Sequence, residues 1–537
     1  MANEAAIRPY LRQAYLFGLM MMAVGLTLSP FLMTLAQFWL VLVWLADALV
    51  PARHCGLDPQ SPKGTGFKPK LSRFWHNKAA VLLVAFYLMH VVGLLWTSDF
   101  QYALKDLRVK LPILVLPFVM SGMEPLDRKR FDWVMLVYVL SVFVATLFSF
   151  SAYLRHDYED VREISRFISH IRFCLHIVFC IAIIGNCLFT RRVPLWSKTM
   201  QFFLMLWLVY QVFIFESLSG YVILAAVVFV SVVYAFLQWQ KGRGWRIAVG
   251  FLALVAVAVV ALVAVREVKP FLKVDPVDFS TLEKKTALGN DYWHDTVYTP
   301  VEDGKYVGLY YCKPEMEAAW SQRSSLPFDG TTANGENLEA TIARYLTSKD
   351  LRKDAQGMAV LTDEDIRNIE QGVANYNNWK HPGLRARLSS TLFEYNLYRK
   401  FNNPNGGSLS QRIEFTRAAF HIIKDHWLFG VGTGDVPLAF RSAYDEIRSP
   451  LAEEFRFRAH NQYLSVFIAF GIVGLALFLL MSLFPFLSSR TNRTYLYTVF
   501  LCVMLLSMFP EDTLETQAGA TMFAFFECFL LFASPKD

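Results

Sequence analysis

Long stretches without a single charge constrain this chain more than any other feature. Val222–Leu237 and Ile247–Val265 contain no Asp, Glu, Lys or Arg. Runs of that length can cross ~30 Å of hydrocarbon as helices. Backbone amides in lipid have to be satisfied within their own segment, so such runs are helical. Polar and apolar residues do not alternate along them, which excludes a transmembrane β-barrel. Charged residues make up 18% of the chain, against about a quarter in soluble proteins.

Twelve candidate spans follow, near 14–29, 31–50, 79–96, 111–121, 132–153, 173–190, 202–215, 220–238, 247–265, 462–486, 495–509 and 518–533. The first is read as a retained span and not a signal peptide, because Pro30 and the next apolar run follow without a small-residue cleavage site. The expected fold is an all-α polytopic membrane protein of about twelve transmembrane helices with one large, mainly helical external domain. Its divisions are 1–265 (spans one to nine), 266–459 (the external domain) and 460–537 (spans ten to twelve).

Short loops on one side of these spans hold twenty Lys and Arg, and those on the other side hold seven. The basic side faces the cytoplasm, so both termini are expected inside and residues 266–459 outside. The net charge of +7 then reflects topology and not nucleic-acid binding. Of seven cysteines only Cys312 is exported, so no disulfide is expected there.

Within the external segment, 270–380 is polar and turn-rich, with helices expected over 337–348 and 362–375. An amphipathic helix over 384–401 ends at the turn 402–407, and the next opens at Ser408-x-x-Gln411, a capping-box spacing. It runs to Gly430, where a glycine suits a left-handed cap.

Three clusters can carry chemistry. Arg412 and Arg417 precede Gly430-Val431-Gly432-Thr433-Gly434-Asp435. Close-approach glycines beside basic residues can present amides to a diphosphate; the same residues also read as a plain helix cap and turn. Arg456, Arg458, His460, Asn461, Gln462 and Tyr463 abut the tenth span. A histidine there can take a proton near neutral pH beside a lipid-linked head group, although Arg and Tyr are also ordinary membrane-edge anchors. The third group comprises Asp99, Lys105, Asp106, Arg108 and Lys110, then His170 and Arg172, then Glu216, and finally Glu511, Asp512 and Glu515. Glu216 lies between two apolar runs, where a charge is costly unless paired or wet.

Four segments in order carry a family likeness: Gln411-Arg412-Ile413-Glu414-Phe415, His426 through Asp435, His460-Asn461-Gln462-Tyr463-Leu464, and Phe470-Gly471-Ile472-Val473-Gly474. Together they resemble the membrane O-antigen ligase and polymerase superfamily. That resemblance implies a GT-C-like architecture and transfer of an undecaprenyl-diphosphate-linked glycan to a hydroxyl of lipid A–core or another glycan or protein acceptor, with no metal or cofactor. It further implies that His460 acts as general base or acceptor-orienting group and that Arg412 holds the donor diphosphate. The family's Ser-Arg-x-Gly pattern before the eighth span is here Glu216-Ser217-Leu218-Ser219-Gly220, without an arginine. Arg172 is the first candidate for the second cation, followed by Arg417 and Arg108. Gly430, Gly432, Gly434 and Asp435 are expected to support the site. Glu216, Asn461, Glu511, Asp512 and Glu515 are expected to supply acceptor or polar support. A polymerase or a protein O-oligosaccharyltransferase shares the donor chemistry. A lipid-linked-glycan flippase fits less well, since no inverted repeat is evident.

Overall fold

The computed structural model describes residues 2–50, 66–155, 161–191, 194–239, 266, 273–381, 383–405 and 407–535. The helices of the first half are α1 (Ala2–Leu28), α2 (Pro30–Leu49), α3 (Phe67–His76), α4 (Lys78–Val92), α5 (Phe100–Gly122), α6 (Arg128–Arg155), α7 (His170–Thr190), α8 (Leu195–Ile214) and α9 (Leu218–Trp239). Among the described residues eight helices are long and apolar enough to cross a membrane: Ile7–Leu28, Pro30–Leu49, Lys78–Trp96, Arg128–Arg155, His170–Thr190, Leu195–Ile214, Leu218–Leu237 and Gln462–Ser488. The chain is therefore a helical multi-pass membrane protein. The ninth expected span, 247–265, lies outside the described residues.

Two expected spans change their extent. The fourth, read over 111–121, is the second half of α5, which begins at Phe100. A hydropathy reading stops at Lys110. The helix continues because Lys110 Nζ meets Glu515 Oε2 at 2.7 Å and Asp106 at 2.5 Å, so its charge is compensated within the fold. The seventh, read over 202–215, begins at Leu195 as α8.

The later elements are a two-residue ribbon of β1 (Val301–Glu302) and β2 (Lys305–Tyr306), then α10 (Lys313–Ser321), α11 (Leu338–Ser348), α12 (Ala355–Val360), α13 (Asp363–Glu370), α14 (Tyr376–Lys380), α15 (Leu384–Phe401), α16 (Ser408–Asp425), α17 (Val436–Glu446), α18 (Gln462–Ser488), α19 (Tyr495–Ser507) and α20 (Gln517–Phe532). The helix expected over 362–375 ends at Glu370, because Gly372 turns the chain at φ 91°. Its start carries a full capping box between Thr362 and Asp365. The capping role expected of Ser408 is not made. Ser408 is itself the first helical residue, and its amide donates to Glu394 Oε2 at 3.1 Å.

The chain divides into two compact units. One comprises Met1–Val249, Phe415–Arg448 and Arg456–Asp537; the other comprises Gly250–Glu414 and Ser449–Phe455. The expected external segment 266–459 thus contributes 415–448 and 456–459 to the unit that holds the apolar helices. In that unit α5 packs against α4 and α20, α18 against α4, and α7 against α8, α9 and α19. The second unit is a small lobe around Met316, Trp320, Phe328, Leu338, Ile342, Tyr345 and Ile369.

Candidate active site

In the helical unit the candidate site is built from the first turns of α5, the segment leading into α18, and the α19–α20 loop. Asp99 caps α5 by accepting from Tyr102 N at 2.9 Å. Asn461 caps α18 by accepting from Leu464 N at 3.0 Å, and its amide donates to Phe509 O. Gln462 locks the α19–α20 loop from both ends of its side chain: it accepts from Leu514 N at 2.7 Å and donates to Glu515 Oε1 at 3.1 Å.

Glu515 is the hub of this region. It also accepts from Lys110 at 2.7 Å and from Arg458 at 3.2 Å. Arg458 in turn donates to Tyr102 Oη at 2.8 Å and meets Asp512 Oδ2 at 3.1 Å. Burial by itself would raise the Glu515 carboxyl, but Lys110 and Arg458 hold it well below the usual carboxylate range. Burial opposes charge on Arg458, yet Glu515 and Asp512 raise its pKa further. Both groups are therefore firmly ionised.

His460 stands beside this network. Its Nδ1 lies 3.9 Å from Asp512 Oδ1. Its ring sits between Phe415, 5.6 Å away, and Phe457, 6.2 Å away. The residue has φ 46°, a left-handed conformation unusual for a β-carbon-bearing side chain. Such strain persists only where surrounding structure imposes it, and it clusters at functional positions. The side chain keeps about a third of its surface, 35%, exposed. Glu511 joins His460 and Asp512, and one ligand atom from each falls within 4.8 Å of the others. These three residues are able to hold a metal ion.

The structure assigns the glycine loop a packing task. Val431 N donates to Ile468 O, Gly432 N to Ala469 O, and Gly434 N to Thr97 Oγ1. Gly430 N closes the preceding turn onto His426 O, with φ 69°. These four amides are taken by protein acceptors, so none of them is offered to a phosphate. The loop presses so closely on α18 that a Cβ at Gly430 would collide with the Ala469 backbone, and one at Gly471 with Leu428. Gly471 kinks α18 at that point, with φ 62°. Asp435 accepts from Ser98 N and Asp99 N at 2.9 and 2.8 Å, anchoring the entry to α5.

The remaining candidates are dispersed. Arg412 and Arg417 lie on α16, with Arg412 half-buried and Arg417 exposed. Arg412 precedes Phe415, the ring beside His460, by three residues on that helix. Arg108 is exposed on α5, and no described acidic group pairs with it. Arg172 lies in the first turn of α7, and its buried Nε has no hydrogen-bond partner among the described residues. The same turn packs on the segment that lacks the family arginine. Phe173 meets Phe215 at 5.4 Å, and Cys174 lies against Gly220. Glu216 occupies the α8–α9 turn with φ 46°. Tyr102 is a contributor that the sequence did not single out, whereas Asp106, Lys110 and Arg458 stood in the charged clusters without an assigned role. Their signal was present as charges at i and i+4 within one helix, Asp106 and Lys110.

Residues 364–479 match the O-Antigen ligase family model. This segment is an O-antigen ligase domain of the ligase and polymerase superfamily. It contains Arg412, the glycine loop and His460, and it begins upstream of the motifs, at Glu364. The family is one of glycosyltransferase-like enzymes working on lipid-linked glycans. No curated protein matches the chain.

Proposed function

We propose that this chain is an O-antigen ligase that moves a glycan from undecaprenyl diphosphate to an acceptor hydroxyl, on lipid A–core or a similar surface lipid, at the periplasmic face of the inner membrane. The observation that carries this reading is His460, strained and inside the segment that matches the ligase model, with the Arg458-held Asp512 3.9 Å away. The acceptor oxygen attacks the anomeric carbon, and its proton passes to His460. The bond from that carbon to the diphosphate oxygen breaks, and undecaprenyl diphosphate leaves with the added negative charge. Asp512 steadies the imidazolium as it forms, as a carboxylate does behind any histidine base. Arg412 and Arg172 hold the donor diphosphate, for which a planar guanidinium fork is better suited than an ammonium. Arg172, on the turn against Glu216–Gly220, takes the place of the family's missing arginine, with Arg417 and Arg108 as alternatives.

The reaction needs no metal in this reading. Asp512 already has Arg458 at 3.1 Å as its counter-charge, and a divalent ion would have to sit beside that guanidinium. Both termini are cytoplasmic and residues 266–459 are periplasmic, as the Lys and Arg distribution favours.

The deciding experiment is a surface-glycan gel from cells carrying His460→Ala, Arg412→Lys or no gene, with expression of each variant checked. Loss of all lipid-attached glycan is the ligase outcome. Loss of chain length alone would make the protein a polymerase, and loss of glycan from protein alone a protein O-oligosaccharyltransferase. In purified form His460→Ala should lose on the order of 10²–10⁴ in turnover, the worth of a positioned acid–base group, while still binding donor. Arg412→Lys should weaken donor binding as well as rate. Well-folded variants that turn over normally would remove the site assignment.

A further inference from the structure

α3 is a ten-residue helix with three distinct faces. At about 100° per residue, Phe74, Lys70 and Arg73 form one side, turned into the protein. Lys70 is buried, pairing with Asp47 at 2.7 Å and donating to Met123 Sδ at 3.0 Å. Phe74 meets the Phe118 ring at 5.2 Å, and Arg73 donates to Gly122 O. Pro69, Ser72, His76 and Lys68 form the polar side. Between these two sides runs a stripe at i, i+4 and i+8: Phe67, Leu71 and Trp75, which are 48%, 44% and 63% exposed.

A stripe of two aromatics and a leucine does not stay open to water in a helix that is otherwise fully sorted. Lysine is drawn inward on one face while tryptophan is left outward on the next, which means the outward face meets something apolar. The stripe continues onto α2, where Leu45 and Leu49 are also exposed and Trp44 meets Phe67 edge-on at 5.9 Å. Beside the stripe, Lys68 and Lys78 are exposed and have no acidic partner among the described residues, whereas the nearby acids Asp47 and Glu124 are taken by Lys70 and Arg12. Apolar bulk, an interfacial tryptophan and an uncompensated lysine on one short helix, with a second lysine at the first residue of α4, match the boundary layer of an anionic phospholipid leaflet.

We infer that α3 lies in the membrane plane, with Phe67, Leu71 and Trp75 seated among the acyl chains and Lys68 and Lys78 on anionic phospholipid head groups. The helix is a fixed in-plane anchor for the α2, α4 and α5 end of the bundle. The inference is independent of the glycan chemistry and of which leaflet is involved.

Single cysteines at Leu71, Trp75, Ser72 and His76, each in the full chain carrying Cys55→Ser, can be spin-labelled in vesicles of phosphatidylcholine and phosphatidylglycerol. Labels at 71 and 75 should collide with dissolved oxygen in preference to a water-soluble nickel chelate, and labels at 72 and 76 the reverse. Equal access of the chelate to all four positions would place the helix in water and overturn the inference. Protection of 71 and 75 from both reagents would overturn it too, by showing that protein covers the stripe. The charge is read separately, from phosphatidylglycerol carried by the purified protein in native mass spectrometry. Its enrichment over phosphatidylcholine should be lost in Lys68→Glu/Lys78→Glu. Enrichment that survives this double change would remove the lysines from the anchor.

Discussion

A buried lysine from each compact unit, Lys110 and Lys353, shows two opposite ways of holding such a group. Lys110, in the helical unit, is enclosed by the carboxylates of Asp106 and Glu515. Lys353, in the lobe, donates among the described residues only to the Leu309 carbonyl, at 3.0 Å, and burial pushes its pKa down to about 8. The first lysine belongs to a network in which every described charge has an opposite one in contact. The second is an amine without a counter-charge among the described residues, and burial in a packed lobe makes it give up its proton more readily. A buried charge survives where its counter-charges are built in, and otherwise the group gives up its proton. The helical unit maintains ionised groups beside His460 by this means, while the lobe has no such arrangement around Lys353.

The largest expected effect tests the paired lysine. Lys110→Met leaves Asp106 and Glu515 buried with less compensation, and removing one partner of a buried pair costs about 3–5 kcal/mol. Thermal unfolding of the detergent-purified full chain should show that loss, and a variant as stable as the parent would dissolve the contrast.

Next comes the unpaired lysine. Between about pH 8 and pH 10.5, unfolded Lys353 binds a proton that the folded residue has released, so stability rises with pH across that window and is flat below it. The full span is worth about 3 kcal/mol. Subtracting the pH profile of Lys353→Met from that of the parent isolates it. A difference that does not vary with pH would mean that Lys353 stays charged.

A smaller effect is expected where the network touches chemistry. Asp512→Asn keeps the shape but removes the charge 3.9 Å from His460, so turnover should fall about tenfold to a hundredfold, the rate equivalent of ~1.4–2.7 kcal/mol of charge stabilisation. The pH profile of turnover should move with it, which a purely structural role would not produce. Unchanged rate and profile would detach Asp512 from His460.

The smallest expected effect is none at all. Excess chelator should leave turnover of the purified enzyme intact, because Arg458 and not a metal compensates Asp512. Activity that vanished and returned with magnesium or manganese would make His460, Glu511 and Asp512 ligands. The proposed orientation has its own check: Cys312, buried in the lobe, should react with an impermeant thiol reagent in intact spheroplasts once denaturant opens the lobe. Labelling only after the membrane is breached would reverse the orientation.

The sequence alone determined that the chain is helical and membrane-embedded. Lipid forbids unsatisfied backbone, so long apolar runs have one available conformation. Caps and stops such as Thr362 and Asn402 were legible for a similar reason, since each acts on its immediate neighbours; the stop expected at Gly430 was not, because α16 already ends at Asp425 and a turn leads on to that glycine. His460 stood out as a histidine next to a span. Asp512 was named only as polar support, and its place beside His460 was not legible, because it is far along the chain and the α19–α20 loop, pinned by Gln462, brings it near. The start of α5 was lost at Lys110, since hydropathy assigns a lysine its cost in lipid and cannot know that Glu515 will meet it. The glycine loop was ambiguous between phosphate cradle and packing joint for the same reason. Local sequence gives a loop its amides, and only tertiary structure decides that Ile468, Ala469 and Thr97 take them.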